Sequence, residues 1–242
     1  MRLALLAASA ALILAGCQRE SDEAFGERVR AYLLAHPEVL EEASQKLQDN
    51  AEAKTQAAMR KAETQLPGLR AAIERDPRDF VANPNGRITI TEFYDYRCPH
   101  CIHMAPGIVA LIKSHPEVRF VFKEMPIFGA DSIHAADAAL AVKKSGGDYL
   151  GLYQAFMAAQ PLDDRVIDQM AVAHGAKAAD IPPNSDNTAQ LAANKALFDK
   201  LAMDGTPGFV IGSHIFTGEP TSGDPVSMLN SAIAETKKSP PG

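Results

Sequence analysis

Cys98 and Cys101, three positions apart in "DYRCPHCIHMAP", are the residues of this chain best suited to chemistry. Such a pair can hold a soft metal, staple a small loop, or pass electrons by thiol–disulfide exchange. A disulfide between them closes too short a loop to remove much entropy from the unfolded chain, so a staple gains little. A structural zinc takes four ligands, and no second Cys-x-x-Cys exists to supply them. What is left is redox exchange, or a soft ion such as Cu(I) held by Cys98, Cys101 and the nearby His100 or His103.

The third cysteine bears on that choice. Residues 1–17, "MRLALLAASAALILAGC", carry one Arg and then an apolar run over 3–14. The run is short for a permanent span and ends in small residues, as an export leader does. Its end, "LAGC", resembles the box at which bacterial lipoproteins are cleaved and lipidated on the cysteine, here Cys17; an ordinary secretory leader is the alternative. By the same resemblance, Gln18 after that cysteine favours an outer-membrane anchor. Export leaves the mature domain only Cys98 and Cys101, in a compartment where disulfides persist, and that favours redox exchange.

The rest of the composition fits an exported globular protein. With 242 residues and 46% hydrophobic content the chain can bury one good core and accessory helices. A net charge of −6 argues against a phosphate-binding face, so proteins or small molecules are the expected partners and nucleic acid is not.

Strand and helix patterns position the pair. "RITITEF" alternates apolar Ile88 and Ile90 with threonines after the turn signal "NPNG", and reads as a strand. After the cysteines, Met104, Ile108, Leu111 and Ile112 recur at helical spacing. Cys98 is therefore expected at a helix N-terminus, where unpaired N–H groups and the positive dipole end favour a thiolate. Pro99 suits the first helical position, because the N–H it lacks would go unpaired there. His100, when protonated, adds a favourable charge. Stabilising the Cys98 thiolate stabilises the reduced form and makes the disulfide a stronger oxidant. A fall in pKa from ~8.5 to ~3.5 would be worth ~4.8 kcal/mol at pH 7, or about 100 mV.

"TEFYDYRCPHC" resembles the active-site region of DsbA-like thiol–disulfide oxidoreductases of the thioredoxin superfamily, with the Cys-Pro-His-Cys of the oxidase itself. "DGTPGFVIGSHIFTG", residues 204–218, resembles that family's Thr-cisPro loop and the hairpin after it. The resemblance makes Thr206 and Pro207 the substrate-binding loop, with Pro207 cis and facing the cysteines. The hairpin is also legible from "FVI", the two-residue turn Gly212-Ser213, and "HIF". "VRFVFKEMPIFGADSIHAADAAL" resembles the family's next strand and helix, and on that likeness Glu92 and Lys123 are expected to form a buried charged pair below Cys101.

The implied fold is α/β: a thioredoxin fold over residues 86–238 with a helical insertion at about 130–202, closed by a helix over about 225–237. Residues 21–78 form an N-terminal helical extension outside the minimal fold. Its "AYLLAHPEVLEEA" resembles the ScsC and Com1-like branch, whose extensions drive self-association, so residues 21–78 are expected to be an oligomerisation element or a spacer. From 49 to 65 the sequence is rich in Ala, Lys, Gln and Glu, and no core burial is expected to hold that stretch down.

The resemblance implies a periplasmic, lipid-anchored oxidoreductase with no cofactor beyond its redox-active Cys98–Cys101 disulfide. Its partners would be exported proteins with free thiols or disulfides and an inner-membrane redox protein of the DsbB or DsbD/ScsB kind. Cys98 is expected to be the exposed attacking sulfur and Cys101 the buried resolving one. The cysteine motif points to a disulfide donor, the extension to relatives with isomerase, reductase or copper-tolerance roles, and copper binding through the cysteines remains a rival. His36, His115, His134, His174 and His214 show no ligand spacing.

Overall fold

The structure, a computed structural model, describes residues 22–159, 161–220 and 223–238. The leader and its Cys17 lie outside the described residues. The chain forms two units that meet between Ala53 and Lys54. The first contains α1 (Asp22–Ala35) and the opening of α2 (Glu38–Glu63). No residue of α1 is buried, and Phe25, Val29 and Tyr32, spaced four and three apart, leave one apolar stripe open to solvent.

The second unit is built on a five-stranded sheet of order β1-β3-β2-β4-β5. Its strands are β1 (Phe80–Ala82), β2 (Ile88–Tyr94), β3 (Val118–Glu124), β4 (Gly208–Ile211) and β5 (His214–Thr217). β2 and β3 run parallel and are joined by helix α4 (Pro99–Ser114), while every other neighbouring pair is antiparallel. The turn before β2 requires Gly86, because a Cβ there would lie 2.3 Å from the Arg119 backbone nitrogen. The expected two-residue turn joins β4 to β5: Ile211 pairs with His214, and Gly212 takes φ +58°.

Strand alternation divides the core. Ile90, Tyr94, Phe120, Phe122 and Phe209 face a large cluster that includes Cys101, Met104 and Ile108 of α4. To the same cluster belong residues of α5 (Ala130–Lys144), α6 (Tyr149–Ala158), α7 (Asp164–Ala173) and α9 (Ser227–Lys238). Phe93, Val210 and Ile215 face a second cluster with Leu197 and Phe198 of α8 (Ser185–Lys200) and with Ala62, Leu66 and Ile73. Helices α5 to α8 all lie between β3 and β4, where the helical insertion is expected.

Two features depart from expectation. The stretch from Lys54 onward is no free spacer: Ala62, Leu66 of α3 (Leu66–Glu74) and Ile73 are buried against the sheet, and the Glu63 carboxylate accepts the Ile215 N–H at 3.0 Å. Ala62, Leu66 and Ile73, with Met59 and Leu69 partly buried beside them, are few among many polar residues, so composition alone hides them. β1 also carries no sequence signal, since three residues are too few to show alternation.

Candidate redox site

Cys98 is the N-cap of α4, with extended backbone (φ −73°, ψ 120°), and Pro99 takes the first helical position. The adjoining turn is fixed by Asp95. Its backbone carbonyl accepts the Cys98 N–H at 3.2 Å. Its buried carboxylate accepts the N–H groups of Arg97, Ile127 and Phe128 and the Ser132 hydroxyl at 2.6–3.0 Å. One side chain thus sets the approach to α4 and holds a loop on which Ile127 and Phe128 are exposed. In the sequence Asp95 shows only as an acid at the C-terminal end of a strand, just before the cysteine motif.

The second wall of the site is the entry to β4. The Thr206–Pro207 bond is cis, as the resemblance implied. The Cys98 sulfur lies 3.1 Å from the Thr206 carbonyl oxygen, and the buried Thr206 hydroxyl has no hydrogen-bond partner among the described residues. Cys98 was expected to be exposed; it is 1% exposed, because the Thr206 loop lies across it. Burial therefore does not distinguish the two sulfurs, since Cys101 is buried as well.

Their electrostatic surroundings do distinguish them. The Cys101 thiol, the Thr206 hydroxyl and the backbone N–H groups of Cys101 and His100 favour a Cys98 thiolate and outweigh burial, which brings its pKa down to about 6. Burial first, then the Cys98 sulfur and the Glu92 carboxyl, push Cys101 well above the ordinary thiol range. The helix-start argument thus holds in sign, but a pKa of about 6 is milder than the ~3.5 considered from sequence.

The Glu92–Lys123 pair does not form. In the parallel register Glu92 lies opposite Phe122, and Lys123 opposite Phe93. Alternation then sends Glu92 and Lys123 to opposite faces of the sheet. Lys123, 1% exposed, is bound instead to the buried Asp79 at 2.5 Å. Glu92 faces the cysteines, fully buried, and neither of its oxygens has a hydrogen-bond partner among the described residues. Burial, followed by the Glu124 carboxyl and the Cys98 sulfur, raises its pKa well above the ordinary range and so favours its protonated form.

Two further groups were not anticipated. Glu124 is buried and accepts hydrogen bonds from the hydroxyls of Tyr94, Tyr96 and Tyr149 at 2.6–3.1 Å; burial nonetheless raises its pKa to about 8. Glu219, in the loop after β5, lies against the Nδ1 atoms of His100 and His103. His103 and His100 together hold its carboxyl below the ordinary range. No group of three or more His, Cys, Asp or Glu side chains among the described residues is placed to hold a metal ion.

This arrangement can form and break a Cys98–Cys101 disulfide, with Cys98 as the stable thiolate and Cys101 as the sulfur that needs a proton. Residues 89–234 match the model of the DSBA-like thioredoxin domain, and residues 23–54 match that of the copper resistance protein ScsC N-terminal domain. A thioredoxin-like oxidoreductase from Silicibacter pomeroyi is 31% identical, with a TM-score of 0.64; the match covers 70% of this chain and 98% of that one. Proteus mirabilis ScsC in a transitional conformation is 26% identical over 91% of this chain and 97% of its own, with a TM-score of 0.64. Salmonella enterica Typhimurium BcfH is 27% identical over 95% and 99%, with a TM-score of 0.62. A curated Na(+)/H(+) antiporter, NhaA 3 of Salinispora tropica, shares 32% identity over 78 residues, 29% of this chain and 12% of the antiporter.

Proposed function

This chain belongs to the DSBA-like thioredoxin family of thiol–disulfide oxidoreductases, and we propose that it exchanges disulfides with exported proteins through Cys98 and Cys101, acting as a disulfide donor. The observation that carries this reading is the opposite poise of the two sulfurs, Cys98 at about 6 and Cys101 well above the thiol range.

In the oxidised protein a substrate thiolate attacks the Cys98 sulfur. The Cys98–Cys101 bond breaks, a mixed disulfide forms, and Cys101 leaves as a thiolate in a site that disfavours it. Glu92, which faces it and whose burial favours the protonated form, is a nearby acid able to supply the proton. A second substrate thiolate then attacks the substrate sulfur and expels Cys98 as a stabilised thiolate. Two electrons pass from the substrate dithiol to the cysteine pair, and the substrate leaves as a disulfide. Backbone groups at Thr206 would hold the substrate chain by strand-like pairing, while Pro207 keeps a donor N–H away from the sulfurs.

A second reading is isomerase or reductase action, favoured by the match of residues 23–54 to the ScsC N-terminal domain and by the moderate pKa of Cys98. Relative to a free thiol at ~8.5, a pKa of about 6 is worth at most ~1.4 kcal/mol at pH 7, or about 30 mV of the about 100 mV that ~3.5 would supply. Copper binding through Cys98, Cys101 and His103 would compete with the contact between the His103 imidazole and Glu219.

The leader and the "LAGC" box place the protein, in this reading, in the periplasm on a lipid anchor at Cys17, the outer membrane being favoured by Gln18. An inner-membrane partner of the DsbB or DsbD/ScsB kind would reset the pair. The open stripe of Phe25, Val29 and Tyr32 supports self-association with a second copy.

The deciding experiment equilibrates protein beginning after Cys17 with a glutathione redox buffer. A potential near ~−120 mV, as in DsbA, supports the donor; one near ~−270 mV, as in thioredoxin, overturns it in favour of a reductant.

A further inference from the structure

The His100 imidazole is held by a carboxylate that the sequence pattern around the cysteines does not show. Its Nδ1 lies 3.0 Å from one carboxylate oxygen of Glu219, and the Nδ1 of His103 lies 2.9 Å from the other. The two imidazoles are three residues apart at the start of α4 and so share one helix face. Glu219 reaches them from the opposite wall of the site. It follows Gly218, whose N–H donates to the Pro207 carbonyl oxygen at 2.7 Å. A chain of contacts therefore runs from the Cys98 sulfur to Thr206, through Pro207 and Gly218 to Glu219, and back to His100 inside the motif.

A carboxylate held against Nδ1 fixes the orientation of an imidazole, much as it does for metal-bound and catalytic histidines. It also sets a negative charge beside any positive charge the ring carries. The Glu219 side chain is 22% exposed and the imidazoles 60% and 66%, so solvent screens the effect without removing it.

We propose that Glu219 is a positioning residue of the redox centre: it fixes the His100 imidazole and offsets its charge, which keeps the disulfide less oxidising than the same Cys-Pro-His-Cys sequence would be with His100 free. The inference rests on the reading of Cys98 and Cys101 as the exchanging pair. Both imidazoles contribute to holding the carboxylate, but only His100 lies between the cysteines and transmits the effect.

The test uses the mature chain, its Glu219→Gln and His100→Gln variants, and the double variant. Two quantities are read: the equilibrium constant with glutathione at pH 6, and the ionisation midpoint of Cys98 from a pH titration of thiolate absorbance. Glu219→Gln is expected to shift the equilibrium roughly threefold toward the reduced protein and to lower the Cys98 midpoint, as an exposed charge pair of modest strength allows. In the His100→Gln background the same substitution should move the equilibrium by less than half as much. A Glu219→Gln protein that exchanges with an unmoved or oppositely moved equilibrium overturns the proposal. So does an undiminished shift in the His100→Gln background, which would make Glu219 a bare charge acting directly on the sulfur. If the unsubstituted protein fails to equilibrate with glutathione, the Cys98–Cys101 reading falls and this inference with it; normal exchange with an unmoved variant removes this inference alone.

Discussion

The Cys98 sulfur stands 3.1 Å from the Thr206 carbonyl oxygen, so the start of α4 and the entry to β4 meet at a single atom. A thiol can donate to that oxygen, whereas a thiolate is repelled by it and needs other donors. The Thr206 hydroxyl, buried without a hydrogen-bond partner of its own, is placed to be one of them. Thr206→Val keeps the shape and removes the donor. The Cys98 midpoint should rise above about 6 by roughly half a unit to one unit, read by thiolate absorbance. An unmoved midpoint would assign the stabilisation to the Cys101 thiol and the backbone N–H groups alone.

The two sulfurs should separate in chemical labelling. Alkylation of the reduced protein at pH 7 is expected to fall on Cys98, which at a pKa of about 6 is roughly nine-tenths thiolate, with a rate that drops as pH falls through about 6. Because this pKa is depressed, the thiolate stabilises the reduced fold fully only above the ordinary thiol range near 9, and that contribution fades as pH falls through about 6. The stability gap between reduced protein and Cys98→Ser should therefore widen from pH 6 to pH 9. Cys98→Ser should abolish exchange, and Cys101→Ser should trap mixed disulfides visible on non-reducing gels. Equal alkylation of both sulfurs would contradict the assignment.

Glu124 predicts the opposite slope. Its pKa is raised to about 8 in the folded protein, so its contribution is complete below the ordinary carboxyl range near 4.5 and is lost as pH rises through about 8. Thermal midpoints should decline over that interval, and Glu124→Gln, which keeps an acceptor for Tyr94, Tyr96 and Tyr149, should flatten the decline. A profile that is unchanged in Glu124→Gln would assign the slope to other groups.

The buried Lys123–Asp79 pair makes a third stability prediction. Removing one partner strands a charge away from water, so Asp79→Leu should cost about 3–5 kcal/mol in denaturant unfolding. The double variant Asp79→Leu, Lys123→Met leaves no charge behind and should recover most of that loss. A double variant as unstable as the single one would mean that packing, with Gln190 on the other Asp79 oxygen, sets the cost.

What the sequence determined was local. Cys98, Pro99, His100 and Cys101 are contiguous, the apolar spacing of α4 repeats every turn, and the Gly212-Ser213 turn lies between two short apolar runs, so each could be read within a few residues. The same adjacency fixed the sign of the Cys98 poise, because a helix start favours a thiolate wherever the helix goes. What tertiary structure decided was which distant groups meet. Thr206 covers Cys98 across 108 positions, and Glu219 reaches His103 across 116. Register placed Lys123 on the Asp79 face and left Glu92 with the cysteines, a choice that one residue's slip in pairing would reverse. The magnitude of the Cys98 shift belongs to that second class, since it is the balance of burial against donors drawn from two separate segments.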